Sequence, residues 1–79
     1  MSRPIIHIIL GEPLRFHVQS KPGSPQYLVD LEDYGFNGAC GCQHFEFRLQ
    51  PELTRGAEPS DRLRCKHILA ARAFFTYHF

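Results

Sequence analysis

Apolar positions recur with a period of two through the first half of the chain. Ile5, Ile6, Ile8, Ile9 and Leu10 form a short run broken at His7 and closed by Gly11 and Pro13, which reads as a strand. Leu14, Phe16 and Val18 then alternate with Arg15, His17 and Gln19, the pattern of a strand with one face buried. The turn residues KPGSP at 21–25 separate it from a third alternation, Tyr27, Val29 and Leu31 against Leu28, Asp30 and Glu32, which should end near residues 35–38. Antiparallel pairing is the simplest connection for strands joined by turns this short.

Phe45, Phe47 and Leu49 alternate with Glu46, Arg48 and Gln50, so the same period predicts a further strand that Pro51 stops. Residues 50–61 carry charges, Gly56 and two prolines without any period, and read as an exposed loop. Beyond it the period changes to 3.6. Ile68, Ala71, Phe75 and Phe79 share one helical face, flanked by Leu69 and Arg72, which predicts a C-terminal helix packed on the sheet.

The expected architecture is thus α+β: a small antiparallel β-sheet or hairpin plus one C-terminal α-helix. No repeat or low-complexity tract interrupts it, and 79 residues suit a single domain, 1–79. Within it, residues 1–26 supply the N-terminal strands. A core of this size leaves a net stability of only about 3–5 kcal/mol, so a covalent or metal staple is expected. Three cysteines cannot all pair within one chain, and no secretory signal opens the sequence, so a disulfide framework is not expected and a reducing, cytoplasmic setting is. The apolar run at 5–10 is far shorter than the ~20 residues a membrane span needs.

The formal net charge of +1 is unevenly spread, because residues 62–79 hold Arg62, Arg64, Lys66 and Arg72 and no acid. This strip is a candidate nucleic-acid contact. A solvated flank that supports nearby thiolates explains it equally well.

The staple comes from two short motifs. Cys40 and Cys42 form a C-x-C pair around Gly41, and Cys65 and His67 form a C-x-H pair further on. Three thiolates and one imidazole complete a tetrahedral Zn²⁺ set with no position left for substrate, which marks a structural site for one zinc. Tetrahedral sulfurs sit about 3.8 Å apart, whereas alternate Cα atoms of a strand are about 6.6 Å apart. The chain must therefore bend at Gly41, and glycine can do so at positive φ. Residues two apart in a helix point about 200° away from each other, so the helix should begin between Cys65 and His67. Binding would turn three thiols into thiolates around a dication, taking the formal charge from +1 to 0. The metal-free chain is expected to be partly or wholly unfolded.

The string YLVDLEDYGFNGACGCQHFEFRLQ followed by RCKHILAA resembles the SWIM-type zinc finger, whose signature is C-x-C, a variable spacer, then C-x-H. The resemblance spans residues 27–77 and implies a β-hairpin and a helix around one zinc held by Cys40, Cys42, Cys65 and His67. It also implies an interaction module that binds DNA or protein. The ATPase and transposase domains that accompany such fingers have no counterpart here, so those activities do not transfer.

Competing readings stand beside this one. The cysteines could be small buried hydrophobes, or a redox dithiol, although C-x-C is not the C-x-x-C of thioredoxin-like sites. His44 could replace one ligand through C-x-C-x-H. His7, His17 and His78 lack partners at metal spacing and read as ordinary strand or helix residues. Phe74, Tyr77 and Phe79 could be either interface or core. The functional expectation is a non-enzymatic module that meets nucleic acid or a protein partner, with neither a membrane role nor a small-molecule substrate.

Overall fold

A computed structural model describes residues 4–78. Strands β1 (Ile5–Ile9), β2 (Glu12–Gln19), β3 (Gln26–Asp30) and β4 (Ala39–Cys40) form one antiparallel sheet in sequence order. The C-terminal helix α3 (Lys66–His78) packs across β2 and β3 and reaches β1 and β4. The α+β expectation holds, with a sheet larger than a single hairpin. Phe79 and residues 1–3 lie outside the described part of the chain.

The alternation in β2 does what its period requires. Phe16 and Val18 turn inward and are fully buried, while Arg15 and His17 turn outward. Phe16 stands opposite Val29 on β3, and Val29 opposite Cys40 on β4, so one face of the sheet carries the apolar layer from β2 to the first cysteine. Ile68 and Ala71 of α3 close this layer from the other side, and the Phe74 ring meets Phe16 edge-on at 5.7 Å. Full burial of a side chain such as Phe16 or Ile68 contributes roughly 1.5–3 kcal/mol. Phe74 is therefore part of the packing, whereas Tyr77 is 89% exposed.

Two segments depart from the expected pattern. The strand expected at Phe45, Phe47 and Leu49 is instead a π-helical turn, Phe45–Leu49, running directly into helix α2 (Gln50–Thr54). The deciding spacing is four rather than two: Phe45, Leu49 and Leu53 are buried on one side, while Phe47 is 71% exposed. Pro51 opens α2 rather than ending a strand. A proline within a helix removes one N–H and its ring collides with the carbonyl four residues back. The wider π turn ahead of it, closed from Gln50 N–H to the Phe45 carbonyl, relieves that conflict. Residues 50–61 are accordingly not an open loop throughout, since α2 buries Leu53, and a 3-10 turn, Asp61–Leu63, buries Leu63 just beyond.

Between β3 and β4 the chain forms a short turn, α1 (Asp33–Phe36), in which Tyr34, Gly35 and Phe36 all take left-handed backbone angles. Gly38 follows at φ +95°, and a Cβ placed there would meet Ile68 Cγ2 at 2.8 Å. The close approach of this loop to α3 therefore depends on Gly38.

Candidate metal centre

Each of the four sequence-predicted ligands arrives on a different local structure. Cys40 ends β4, paired with Val29. Cys42 lies just before the π-helical turn, where its carbonyl accepts from Glu46 N–H at 3.1 Å and its sulfur from Phe45 N–H at 3.5 Å. Cys65 immediately precedes α3 and its carbonyl accepts from Leu69 N–H at 3.0 Å, while His67 occupies the first turn. The helix thus begins between Cys65 and His67, the one geometry that lets residues two apart face one point.

All four side chains are buried, and their donor atoms lie within 4.8 Å of one another. His67 Nδ1 is 3.7 Å from Cys40 Sγ and 3.9 Å from Cys65 Sγ. These separations approach the edges of a zinc tetrahedron, about 3.8 Å between sulfurs, so the residues fit the ion with only small contraction. His44 is exposed and is not a member of this cluster.

The electrostatics of the thiols are uneven. A hydrogen bond from the Cys40 thiol, joined by N–H groups of Ile68 and His67 at the helix start, lowers the pKa of Cys65 to about 5 against the opposing effect of burial. Cys40, as the donor of that bond and also buried, is pushed well above the thiol range. Burial likewise raises Cys42. One thiolate is prepared by the fold, and a dication would displace the two remaining protons.

Two supporting groups have no signal in the sequence. Ser20 Oγ sits 3.0 Å from His67 Nε2, 47 positions away in the chain. Nδ1 faces the cysteines; with a zinc on Nδ1, Nε2 would carry the proton and donate to Ser20, holding the ring orientation as outer partners of metal-bound histidines do. The Tyr27 ring packs against the same imidazole with centroids 5.0 Å apart.

The other is Asn37, fully buried between the two ligand-bearing loops. Its Nδ2 donates to the carbonyls of Leu63 at 3.0 Å and Gly38 at 3.1 Å, and its Oδ1 accepts from Ser60 N–H at 3.1 Å. Its own carbonyl accepts from Arg64 Nε at 2.9 Å. Asn37 thereby ties the segment leading to Cys40 to the segment leading to Cys65. The chain bends at Gly41 and Cys42 as expected, but without positive φ at Gly41 and with no neighbour within 4 Å of a Cβ placed there. The position that requires glycine is Gly38, where φ is positive and a Cβ would meet Ile68.

A family model for the SWIM zinc finger matches residues 27–71, more than half of the chain, with all four ligand positions inside it. The chain belongs to the SWIM zinc finger family. Comparisons with curated proteins and with solved structures gave no match. In this SWIM finger, Cys40, Cys42, Cys65 and His67 would hold one structural zinc, and the ion supplies cross-linking between β4, the helical turn and α3 rather than reaction chemistry.

The basic strip of the finger is divided by the fold. Arg64 pairs with Asp61 and donates to the carbonyls of Asn37 and Phe36, and Arg72 donates to the Phe36 carbonyl at 3.1 Å. Both guanidiniums thus brace the left-handed turn. Arg62 and Lys66 are exposed.

Proposed function

We propose that this SWIM finger is a non-catalytic module that binds a protein partner through its exposed aromatic surface. The observation that carries the reading is the double anchoring of Arg64 and Arg72 on Phe36, which takes two of four strip cations into internal bonds while presenting the Phe36 ring 60% exposed. Tyr34 and Phe36 are held at positive φ, a conformation costing roughly 1–3 kcal/mol per residue, and such strain concentrates at functional positions. Beside Phe36, the residues Leu14, Leu31, Arg72 and Phe75 line an open cleft of about 400 Å³. A closed four-ligand zinc set leaves no coordination position for substrate, which supports a binding role over an enzymatic or thiol-redox one. No helix among the described residues is long and apolar enough to cross a membrane.

Nucleic-acid binding is the second reading. It is favoured by Lys66, which lines adjoining clefts with His44 and with Lys21 at the start of α3. Anisotropy titrations of the zinc-loaded chain with single- and double-stranded DNA at two salt concentrations separate the two. The protein-partner reading expects no binding tighter than about 100 µM at physiological salt. Affinity that weakens steeply with salt and is lost in Lys66→Ala would transfer the function to nucleic acid.

A further inference from the structure

The two edges of the sheet are very unlike each other. β4 contributes only Ala39–Cys40 and is pinned beside the metal ligands, so it offers no template for another strand. β1 is five residues long, and no described residue pairs with its outer edge. Edge strands usually carry charge, proline or a bulge that discourages pairing. β1 has no charged residue and no proline within it, and its register irregularity falls on the side facing β2.

Its sequence, IIHII, reads identically in both directions about His7. A two-fold interface requires each residue i that meets j to be matched by j meeting i. Antiparallel self-pairing centred on His7 satisfies this: Ile5 meets Ile9 of the second copy, Ile6 meets Ile8, and His7 meets His7. Paired residues of an antiparallel ladder share a face. Because Ile6 stands opposite Val18, and Ile8 opposite Phe16, both isoleucines of the inner face continue the buried layer of β2. Ile8 is nevertheless 57% exposed, as a core-facing residue is when its next strand is missing.

A five-residue strand spans about 17 Å, and its edge alone falls short of the roughly 1,200 Å² that a specific interface buries. The structure supplies the remainder beside it. An open groove of about 650 Å³ lies between the start of β1 and α3, lined by Pro4 and Ile6 with Ala73, Phe74 and Tyr77. The cleft at Phe36 lies along the opposite flank of the same helix, lined by Arg72, Phe75 and Thr76.

We propose that β1 is a self-association edge: two copies pair antiparallel about His7, joining two four-stranded sheets into one of eight strands, with the two α3 helices flanking the joint on its inner face. The inference is independent of the partner proposed for the Phe36 surface, which it leaves free.

The test measures the solution mass of the zinc-loaded full chain by sedimentation equilibrium across roughly 1–300 µM. The expected result is a species of twice the 9.1 kDa chain mass, shifted to 9.1 kDa by Ile8→Lys, with zinc content and circular dichroism unchanged. His17→Lys, one strand inward on the outer face, should leave the dimer intact. The register has its own readout. Facing Cα atoms of an antiparallel pair are about 4.5–5.5 Å apart, within disulfide range, so zinc-loaded His7→Cys should form a covalent dimer on mild oxidation. His17→Cys, about three strand spacings or ~14 Å from its mate, should not. A wild-type chain that stays monomeric throughout the range overturns the proposal, as does a dimer that survives Ile8→Lys. A dimer that fails to cross-link through His7→Cys overturns the pairing about His7.

Discussion

In the β2–β3 hairpin alternate side chains, Phe16, Val18 and Val29 among them, enter the core, and each strand's place follows from apolar area removed from water. Between Asn37 and Cys65 the buried groups are three sulfurs and an asparagine, beside Phe45 and three leucines at positions 49, 53 and 63. The first region is stabilised by a force that is non-directional and adds up residue by residue. The second rests on directional bonds, each of which fails if its geometry is lost. The contrast explains why α1 can hold two non-glycine residues at positive φ: its ends are fixed by Asn37, Arg64 and Arg72 rather than by its own preferences.

The sharpest way to break the comparison is to remove the metal. Structural zinc in small peptides contributes on the order of 10–16 kcal/mol, comparable to a whole domain's stability. Chelation, or Cys65→Ser, should therefore unfold the ligand-bearing region and carry the sheet with it, read as loss of zinc in elemental analysis and of cooperative melting by circular dichroism. Acid should act in the same direction. Within the folded cluster the lowered pKa of Cys65 contributes stability that is complete above the ordinary thiol range and is lost as pH falls through about 5. Zinc adds competition with protons for Cys40 and Cys42, so occupancy should decline as the solution approaches that pH. A fold that melts cooperatively and identically with and without zinc would show that apolar burial sustains both regions.

Next in size is Gly38→Ala. Left-handed backbone angles cost a residue with a Cβ about 1–2 kcal/mol, and overpacking adds about 1–3. A loss of roughly 2–5 kcal/mol in denaturant unfolding is expected, because the new methyl group would press on Ile68. Asn37→Ala should follow at about 2–4 kcal/mol, since the Leu63 carbonyl and Ser60 N–H would lose partners in a buried setting. Ser20→Ala touches only the imidazole, and competition with a chromophoric chelator should show zinc held about tenfold less tightly. The smallest effects belong to Gly41→Ala and His44→Ala, each within about 0.5 kcal/mol of wild type and with zinc retained. A zinc-free His44→Ala protein would move a ligand to that histidine.

How far each region could be read beforehand follows from the same contrast. β2 and β3 were visible because alternation is a local property, as was the start of α3, forced by two ligands at i and i+2. Phe45, Phe47 and Leu49 misled because three residues satisfy period two, while the fourfold spacing that decides the matter needs Leu53, beyond a proline that reads as a stop. Ser20 and Asn37 carried no mark, since each acts on groups brought near by the chain's return: Ser20 on His67, and Asn37 on Leu63, 26 positions away. Gly41 drew attention for lying between two cysteines, although the tight approach occurs at Gly38 against a helix distant in sequence.

What the sequence determined by itself is the chemistry of the centre: three thiols and one imidazole at spacings that only a tetrahedral metal unites, and the apolar alternation that puts β2 beneath a helix. Both depend on residue type and short-range spacing, which a linear string records in full. The tertiary structure alone decided that residues 45–54 wind rather than extend, that Arg64 and Arg72 brace a strained turn, and that β1 is left at an open edge of the sheet. Those outcomes depend on which surfaces remain uncovered once the zinc has drawn β4 and α3 together, and no local pattern encodes that.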